Sequence, residues 1–423
     1  MTRNTNVFGV IERRNVSGTW SQGSCAALLQ IRLLLAMLVL LLSAPAAAKL
    51  KPMDNNELSH VIGQAFVSIN RNSHPVQTNL TYTRINLGMD VELNLNADVL
   101  ELGRYEREGE SQPADILINN FGLGYIQNKA YFKEHSFIPS VAGNYADGDL
   151  VPFQITDPYF EFAFDEDSNE IVGVRLGFGE AMGMMTGSIQ SMTGNVNVAI
   201  RDTAAGIKAA HENKIHQPDY QLQPMDDLLT WLTPYLVGGS PIETPSELAT
   251  TSGEPDPVRA THIGMLNGTD FVVKDVNKLV AAPVALLKPL LSSKLEIQGC
   301  SGLFDFSCDL HIESQNCKML GIDTCFPLSK YENLPVGKLS GDRKKIVAPA
   351  PGMFMSFQSR DDLPWATTHR TGDATTASDY IKAARGAFFN VPNGVVEVNL
   401  SEIYKPKVPM VRQEYINRGR GLF

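Results

Sequence analysis

The stretch RINLGMDVELNLNADV, residues 84–99, alternates apolar and polar residues without interruption. The apolar parity consists of Ile85, Leu87, Met89, Val91, Leu93, Leu95, Ala97 and Val99. Because successive side chains of a β-strand point to opposite faces, this alternation predicts a strand with one apolar face and one polar, mostly acidic face. A helix is excluded, since the helical period would scatter the same apolar residues around its whole circumference.

The two faces of this stretch are expected to meet different surroundings. We expect the apolar face to lie in a core and the other face, which carries Asp90, Glu92 and Asp98, to lie in solvent. At ~3.3 Å per residue the run would reach about 50 Å, well beyond a usual strand. The Asn94–Asp98 segment contains poor strand formers, so we predict a bend there. The parity changes after Val99, which predicts a bulge or a turn.

Two further alternating segments, residues 159–164 and 171–178, flank the polar run DEDSNE at 165–170. Polar residues of this kind favour tight turns, so the pair predicts a β-hairpin. Glycines recur between residues 177 and 194, which indicates bulges or tight bends of a curved sheet. The chain is therefore predicted to be mainly β with a few short helices, built as a large curved antiparallel sheet or a sandwich.

Residues 1–48 predict a secretory signal peptide. Ten consecutive apolar residues, 33–42, come before Ala46 and Ala48, which precede Lys49 as an A-x-A cleavage site. Ten residues are fewer than the ~20 that a helix needs to span a bilayer, so an uncleaved anchor is the weaker alternative. We therefore expect the protein to be exported.

The charge of the chain bears on its partners. It carries 36 Lys and Arg against 46 Asp and Glu, a formal net charge of −10. Residues 1–48 hold four arginines and one glutamate, so their removal takes the net charge to −13. Proteins that bind nucleic acid or anionic membranes present basic surfaces, so an acidic balance argues against both kinds of partner.

Composition divides the rest of the chain into regions. Residues 49–237 are predicted to form an N-terminal β-rich domain with short helices at its start and its end. Residues 238–260, rich in Pro, Ser, Thr and Gly, predict a linker or an exposed loop. Residues 261–423 form a C-terminal region that contains the cysteine-bearing segment Cys300–Cys325 and the final β-strands.

Four cysteines lie close together in the C-terminal region, namely Cys300, Cys308, Cys317 and Cys325. An even count in an exported chain favours two disulfides, for which three connectivities are possible. Structural zinc is the weaker alternative, because the spacing lacks the C-x2-C pair that is typical of zinc sites. We predict that the disulfides crosslink a loop-rich insert.

The start of the mature chain carries the pattern Met53-Asp54-x-x-Glu57-Leu58-Ser59-x-Val61-x-Gly63-Gln64, followed by an apolar strand. This segment resembles the mature start of exported Gram-negative envelope proteins of unknown function, some of which are associated with proposed pilus or surface systems. The resemblance covers about twenty residues of the chain. It implies a location in the periplasm or on the outer surface and a β-rich body, and it assigns no active residue.

The sequence predicts no catalytic residue. His211 and His216 are spaced i and i+5, so they diverge on a helix and miss the i, i+4 spacing of zinc proteases. Asp165, Asp167 and Asn169 are weak calcium candidates, but the glycine and glutamate of an EF-hand loop are missing. No G-x-S-x-G nucleophile motif occurs. We therefore predict no resident metal and no cofactor.

These observations favour a non-enzymatic, exported envelope protein with a structural or surface-assembly role, whose partners are envelope or surface-assembly proteins. The alternatives are a periplasmic carrier of an apolar ligand such as a lipid, an integral outer-membrane β-barrel and, last, an enzyme. A barrel is disfavoured because evenly spaced alternating segments are missing between residues 200 and 340. Nucleic acid is not expected as a partner.

Overall fold

The computed structural model describes residues 67–135, 138–202, 242–277, 294–298, 307–319, 322–367 and 374–399. The first strands in chain order are β1 Val67–Ser73, β2 Leu80–Leu87, β3 Asp90–Leu93, β4 Leu95–Arg104, β5 Ala114–Leu123, β6 Tyr125–Ile126, β7 Ser140–Val141, β8 Leu150–Val151, β9 Phe153–Thr156, β10 Tyr159–Asp165, β11 Glu170–Gly177, β12 Glu180–Met192, β13 Gly194–Asp202, β14 Ile242–Ala249 and β15 His262–Gly264. The remaining strands are β16 Asp270–Asn277, β17 Lys294–Gln298, β18 Ser307–Glu313, β19 Lys318–Met319, β20 Ile322–Asp323, β21 Cys325–Pro327, β22 Asn333–Val336, β23 Lys338–Leu339, β24 Lys345–Ala348, β25 Ala350–Pro351, β26 Phe354–Gln358, β27 Leu363–Ala366, β28 Tyr380–Ala383 and β29 Gly386–Asn399.

Helical structure is sparse in these ranges. The helix α1 (Lys129–Glu134) begins at Asn128, whose side chain accepts a hydrogen bond from the backbone N–H of Tyr131 at 3.0 Å. Short 3-10 turns occur at Leu328–Lys330 and Ala377–Asp379. The mainly β fold predicted from the alternation is confirmed.

Seventeen of the described strands join one sheet. Its first part is an antiparallel series in the order β1, β2, β10, β11, β26 and β29. β29 then pairs in parallel with β13, and the series continues antiparallel through β14 and β15 to β21. A second branch leaves β29 through β22 to β12, which also pairs with β5, β9 and β25. β4 lies beyond β5, and β3 lies beyond β9.

Apolar side chains from both branches of the sheet build the main core of the described residues. Its buried members include Ile116, Ile118, Met185, Ile189, Val196, Val198, Ile263, Phe326, Val391 and Val396. A second core lies under the β27–β28 hairpin and includes Leu80, Tyr82, Phe354, Leu363, Trp365 and Phe388. Each large apolar side chain that is fully buried contributes about 1.5–3 kcal/mol to the free energy of unfolding, so these clusters stabilise the sheet.

The alternating stretch 84–99 forms parts of three strands rather than one. β2 ends at Leu87, the chain leaves the sheet at Gly88–Met89, and β3 then runs to Leu93. A second break at Asn94, before β4, agrees with the predicted bend. The acidic side chains expected in solvent, Asp90, Glu92 and Asp98, are exposed, but Leu95 and Val99 of the face expected in a core are exposed as well.

The two faces of β2 are the reverse of the expected ones. Arg84, which the alternation assigned to the solvated face, is only 2% exposed, whereas Ile85 and Leu87 are partly exposed. The cause lies in the neighbouring strand β10, which places Glu161 opposite Arg84. A buried carboxylate and a cover of aromatic rings give the guanidinium partners inside the protein, so its burial is tolerated.

The predicted hairpin at 159–178 is present as β10 and β11, which pair antiparallel. A bulge between Ala163 and Phe164 shifts the register near the turn. Asn169 in that turn has a φ of 56°, in the left-handed region, which asparagine tolerates better than most residues. The polar run between the two strands therefore acts as a turn, as its composition indicates.

The predicted linker 238–260 contains a paired strand, β14 (Ile242–Ala249). Its polar composition suggested a loop, but Thr244 and Ser246 occupy alternate, buried positions of that strand. All described residues belong to one compact unit, Gln64–Phe423. Strands from both sides of the predicted linker therefore share one sheet.

Other predictions concern residues outside the described ranges. These include the signal peptide 1–48 with its cleavage residues Ala46, Ala48 and Lys49, and the short helices expected at both ends of the N-terminal domain. Cys300 also lies outside them. Among the described residues, no helix is both long and apolar enough to cross a bilayer.

Two glycines of β11 make room for aromatic rings on the buried face of the sheet. A Cβ atom at Gly173 would come within 2.8 Å of Cζ2 of Trp365, and a Cβ atom at Gly177 would overlap the ring of Tyr159. Both rings are almost fully buried, so they have little freedom to move away. The glycines are therefore a packing requirement of this face.

Replacing Gly177 by alanine should lower the free energy of unfolding by about 1–3 kcal/mol, the cost typical of overpacking a core. The matched control is Gly341→Ala, because a Cβ atom at Gly341 would have open space around it. Urea unfolding followed by far-ultraviolet circular dichroism measures both variants. Equal unfolding midpoints for the two variants would contradict the prediction.

Candidate functional site

A row of three charged side chains crosses the first part of the sheet. Arg84 of β2 lies opposite Glu161 of β10, and Glu161 lies opposite Arg175 of β11. Arg84 is 2% exposed, and Glu161 and Arg175 are fully buried. Nε of Arg175 donates to Oε2 of Glu161 at 2.7 Å, and Nη2 of Arg175 forms an ion pair with the same oxygen. These three residues are named the ionic ladder below.

The β27–β28 hairpin covers the Arg175 end of the ionic ladder. Nη1 of Arg175 donates to the backbone oxygen of Ala366 in β27 at 2.6 Å. The guanidinium carbon lies 5.0 Å from the ring centroid of Trp365 and 4.7 Å from that of Phe354. Arginine over an aromatic face is attracted by the ring quadrupole, so the rings both exclude water and stabilise the charge.

The Tyr159 ring covers the Arg84 end, and Tyr82 of β2 binds the covering hairpin. The guanidinium carbon of Arg84 lies 3.2 Å from the ring centroid of Tyr159. The hydroxyl of Tyr82 donates to the backbone oxygen of Pro364 in β27 at 2.5 Å. Burial raises the pKa of Tyr82 far above its ordinary value, so the hydroxyl stays protonated and remains a donor. This hydrogen bond attaches the covering hairpin to β2.

Burial and ion pairing act in opposite directions on the two arginines. Burial disfavours the charged form of Arg175, but Glu161 outweighs burial and raises the pKa of this guanidinium. For Arg84, burial and the nearby charge of Arg175 lower the pKa, although Tyr159 and Glu161 oppose the shift. Arginine pKa values start so high that both groups are charged at neutral pH. The ionic ladder therefore holds two cations and one anion away from water.

This arrangement serves stability rather than a reaction. A general acid or base must reach the proton that it transfers, whereas Glu161 is fully buried beneath the covering rings and bound to Arg175. Charged groups on adjacent strands attract one another only in the register that brings them opposite. The ionic ladder thus fixes the pairing of β2, β10 and β11.

A second buried ion pair connects other parts of the sheet. Nε of Arg259 donates to Oδ1 of Asp115 in β5 at 2.9 Å, and Nη1 of Arg259 donates to the backbone oxygen of Gln112 at 2.6 Å. The other carboxylate oxygen of Asp115 accepts the backbone N–H of Ala387 in β29 at 2.9 Å. The pair therefore links β5, β29 and the segment that precedes β15.

The calcium candidates lie at the β10–β11 turn, where protein groups already use the oxygens of both aspartates. Asp165 accepts hydrogen bonds from Nη1 of Arg360 at 2.7 Å and from the backbone N–H of Asp167 at 3.0 Å. Nδ2 of Asn79 donates to Asp167 at 3.1 Å, and Asn169 supplies the left-handed turn residue. In the described ranges, no group of three or more His, Cys, Asp or Glu is arranged to hold a metal. Turn formation accounts for these residues.

The structure contains the disulfide Cys317–Cys325, whose Cα atoms are 5.1 Å apart. It closes the segment that carries the small β19–β20 hairpin, next to Phe326 of the main core. The region predicted as a loop-rich insert also contains β18, so it is more regular than expected. Cys300 and the side chain of Cys308 lie outside the described part of the chain, and their pairing stays a prediction.

The face opposite the ionic ladder is apolar and partly exposed. Ile69 is 66% exposed, Phe160 is 42% exposed and Phe357 is 41% exposed. Strand register places the side chains of this face on adjacent positions of β1, β2, β10, β11 and β26. The outer face is defined here as Val67, Ile69, Ile85, Leu87, Phe160, Phe162, Phe164, Ile171, Val174, Leu176, Met355 and Phe357.

The main core holds little free space for a ligand. A cavity lined by Met185, Ile189 and Val396 has a volume of about 20 Å³, room for about one water molecule and far below the ~300–1,000 Å³ of a ligand pocket. A shallow groove of about 290 Å³ lies on the surface beside the outer face, bordered by Ile171 and Phe357. The apolar surface that could contact a ligand or a partner therefore lies on the outside of the described sheet and not in its core.

Sequence reasoning missed the ionic ladder and the outer face. Glu161 alternates with phenylalanines and Arg175 with aliphatic residues, a pattern that fits burial of either face. The glycines at 173 and 177 were the available signal, because they share the parity of Arg175 and leave room for rings on that side. On a solvated face, glycines would have no aromatic rings packed against them, so their presence indicates a buried face.

Comparison with known proteins identifies no relative of this chain. No family model, no curated protein and no solved structure matches it. The outer face and the ionic ladder are therefore the features of this chain that bear on its function.

Replacing Glu161 by glutamine should lower the free energy of unfolding by about 3–5 kcal/mol, because it leaves two buried guanidinium groups without their carboxylate. The control is Glu101→Gln, which removes an exposed ion pair with Arg104 and should leave the unfolding midpoint unchanged. Arg175→Met should cost less in the Glu161→Gln background than in the wild type. Strictly additive losses in urea unfolding would show that the two groups are not coupled.

His74 closes the turn between β1 and β2 beside the aromatic cover. It is 4% exposed, and its ring centroid lies 4.2 Å from that of Tyr380. Its Nδ1 accepts the backbone N–H of Val76 at 3.1 Å and that of Gln77 at 2.9 Å. Burial lowers the pKa of His74, because the charged imidazolium loses solvation and its Nδ1 could no longer accept.

Stability should therefore fall as the pH is lowered through about 6.5, where His74 of the unfolded chain binds a proton that the folded chain excludes. The contribution of one group is at most about 1.4 kcal/mol per pH unit. His74→Asn keeps a hydrogen-bond acceptor but cannot titrate, so its stability should vary less with pH. Urea unfolding at a series of pH values between about 7 and 5 measures both slopes, and identical slopes would refute the assignment.

Proposed function

We propose that this protein is a non-enzymatic structural component of the envelope of a Gram-negative cell, exported from the cytoplasm, which takes part in assembling a surface structure. The observation that carries the proposal is the outer face, an apolar surface that extends over five neighbouring strands. Contiguous apolar patches beyond a few hundred Å² are rare on monomers and mark interaction sites. The proposed role is therefore to bind another apolar surface.

The ionic ladder supports this role. A strand that slipped by one residue would turn its apolar side chains inward and its charges outward. Glu161 opposes that slip because it pairs with both neighbouring strands in one register. The outer face is thus held on the outside by buried charges, which is the behaviour expected of a binding surface.

Export is supported by chemistry independent of the outer face. The Cys317–Cys325 disulfide is of a kind that persists in oxidising compartments such as the periplasm or the cell surface. The predicted leader 1–48 and its A-x-A site argue for the same route. A location in the periplasm or on the outer surface is part of the proposal.

A carrier of an apolar ligand is the second candidate, favoured by the groove of about 290 Å³ beside Ile171 and Phe357. Carriers bury most of the surface of their ligand, whereas this groove is open to solvent. An outer-membrane barrel would also present an outward apolar face, but it would resist extraction from the membrane. Fractionation distinguishes these alternatives from the structural role.

The test is fractionation of cells that make the full chain, followed by chemical cross-linking. We expect the protein in the periplasmic or envelope fraction, released by carbonate, and cross-linked into a species larger than a monomer. The double variant Ile69→Thr/Phe160→Thr, at two exposed positions of the outer face, should lose that species. The control Val76→Thr/Val347→Thr alters exposed valines outside the outer face and should keep it.

Several results would contradict the proposal. A cytoplasmic location would exclude export, and resistance to carbonate would favour an integral barrel. A bound lipid found by organic extraction and mass spectrometry of the purified protein would favour the carrier. Equal cross-linking of the outer-face variant and the control would show that the outer face does not bind the partner.

A further inference from the structure

The sheet face that contains the outer face continues onto β29. It is covered by other strands at β29 and open to solvent at β1. In register, one row of this face is Ile69, Ile85, Phe160, Leu176, Met355 and Phe389. Phe389 of β29 packs against the main core and lines its interior together with Met185 and Ile189 of β12. Phe160 and Ile69, at the other end of the row, are exposed. One continuous apolar face is therefore closed at β29 and open from β1 to β26.

The closed end indicates which kind of surface fits the open end. At the closed end, apolar side chains of other strands of this chain lie against Phe389. Sheets stacked in this way lie ~10 Å apart and interdigitate their apolar faces. The outer face of a second copy has the same composition of Phe, Ile, Val, Leu and Met, so it offers the same kind of cover.

Charge allows two identical faces to meet. Among the described strands of this face, Arg71 of β1 is the one charged side chain, and it already pairs with Glu166 at 2.7 Å. Two copies would therefore bring no unpaired like charges together. A lipid surface fits less well, because surfaces that adsorb to anionic membranes are basic and this chain has a net charge of −10.

The open part is large enough for a specific interface. Five strands ~4.8 Å apart, each with about seven residues at ~3.4 Å, give a face of roughly 500 Å². Two such faces would bury roughly 1,000 Å² in total, which meets the lower bound for a biological interface. An interface at this bound predicts a reversible dimer rather than a permanent one.

We propose that a second copy of this chain packs its outer face against the outer face of the first, forming a dimer of two stacked sheets. Because each copy contributes the same surface, the dimer has two-fold symmetry. This inference rests on the proposed function, since it names the partner of the surface on which that function depends. The self-pairing would make the dimer the unit from which a surface structure is assembled.

The test is sedimentation velocity of the protein purified from the envelope fraction, over a wide range of concentration. The wild type should change from monomer to dimer as its concentration rises. Ile69→Thr/Phe160→Thr should stay monomeric, and Val76→Thr/Val347→Thr should behave as the wild type. Val67→Thr/Ile171→Thr, at two other exposed positions of the outer face, provides a second disrupting variant. Far-ultraviolet circular dichroism verifies that each variant is folded.

A wild type that is monomeric at every concentration would overturn the inference, and so would a dimer that survives in both outer-face variants. Flotation with vesicles of phosphatidylethanolamine and phosphatidylglycerol tests whether a lipid surface, rather than a second copy of the chain, covers the outer face. A monomer that floats with these vesicles, and whose outer-face variants do not, would assign the face to lipid instead. A dimer found in a cytoplasmic protein would contradict the proposed function alone, whereas an envelope protein that is always monomeric would contradict the dimer alone.

Discussion

The buried carboxylate of Glu161 between Arg84 and Arg175 is the interaction on which the register of the first part of the sheet depends. An unpaired buried charge costs several kcal/mol, so each of these groups depends on the others being opposite it. The pairing holds in one register of β2, β10 and β11. Because strand side chains alternate, this register also decides which residues face outward. The position of the outer face is therefore a consequence of electrostatics on the opposite side of the sheet.

The packing around the ionic ladder follows from the same requirement. Two cations and one anion must be shielded from water, and flat rings achieve this while stabilising the guanidinium groups. Trp365 is brought over Arg175 by the β27–β28 hairpin, and Gly173 leaves the space that its ring needs. Asp115 and Arg259 form a second buried pair, which binds β29 to β5. Buried charge thus specifies strand pairing at two separate places.

Sequence reasoning could predict the strands and the hairpin but not the inner side of the sheet. Alternation and turn composition are local properties, and they identified the β10–β11 hairpin and the break at Asn94. Burial of Arg84 depends on Glu161, which belongs to a strand far along the chain, so no local pattern reveals it. The strand β14 was missed because small polar residues such as Thr244 and Ser246 occupy its buried positions.

An exposed apolar face is costly for a protein on its own, since it orders water and promotes association. A sheet could lower this cost by a change of register that places Phe160 and Ile69 inside, but the ionic ladder forbids that change. The same face is closed at Phe389 by strands of this chain, so closure by a further sheet is already part of the fold. What the molecule provides at β1, β2, β10, β11 and β26 is therefore one half of a sandwich, oriented by buried charge and available to a matching half.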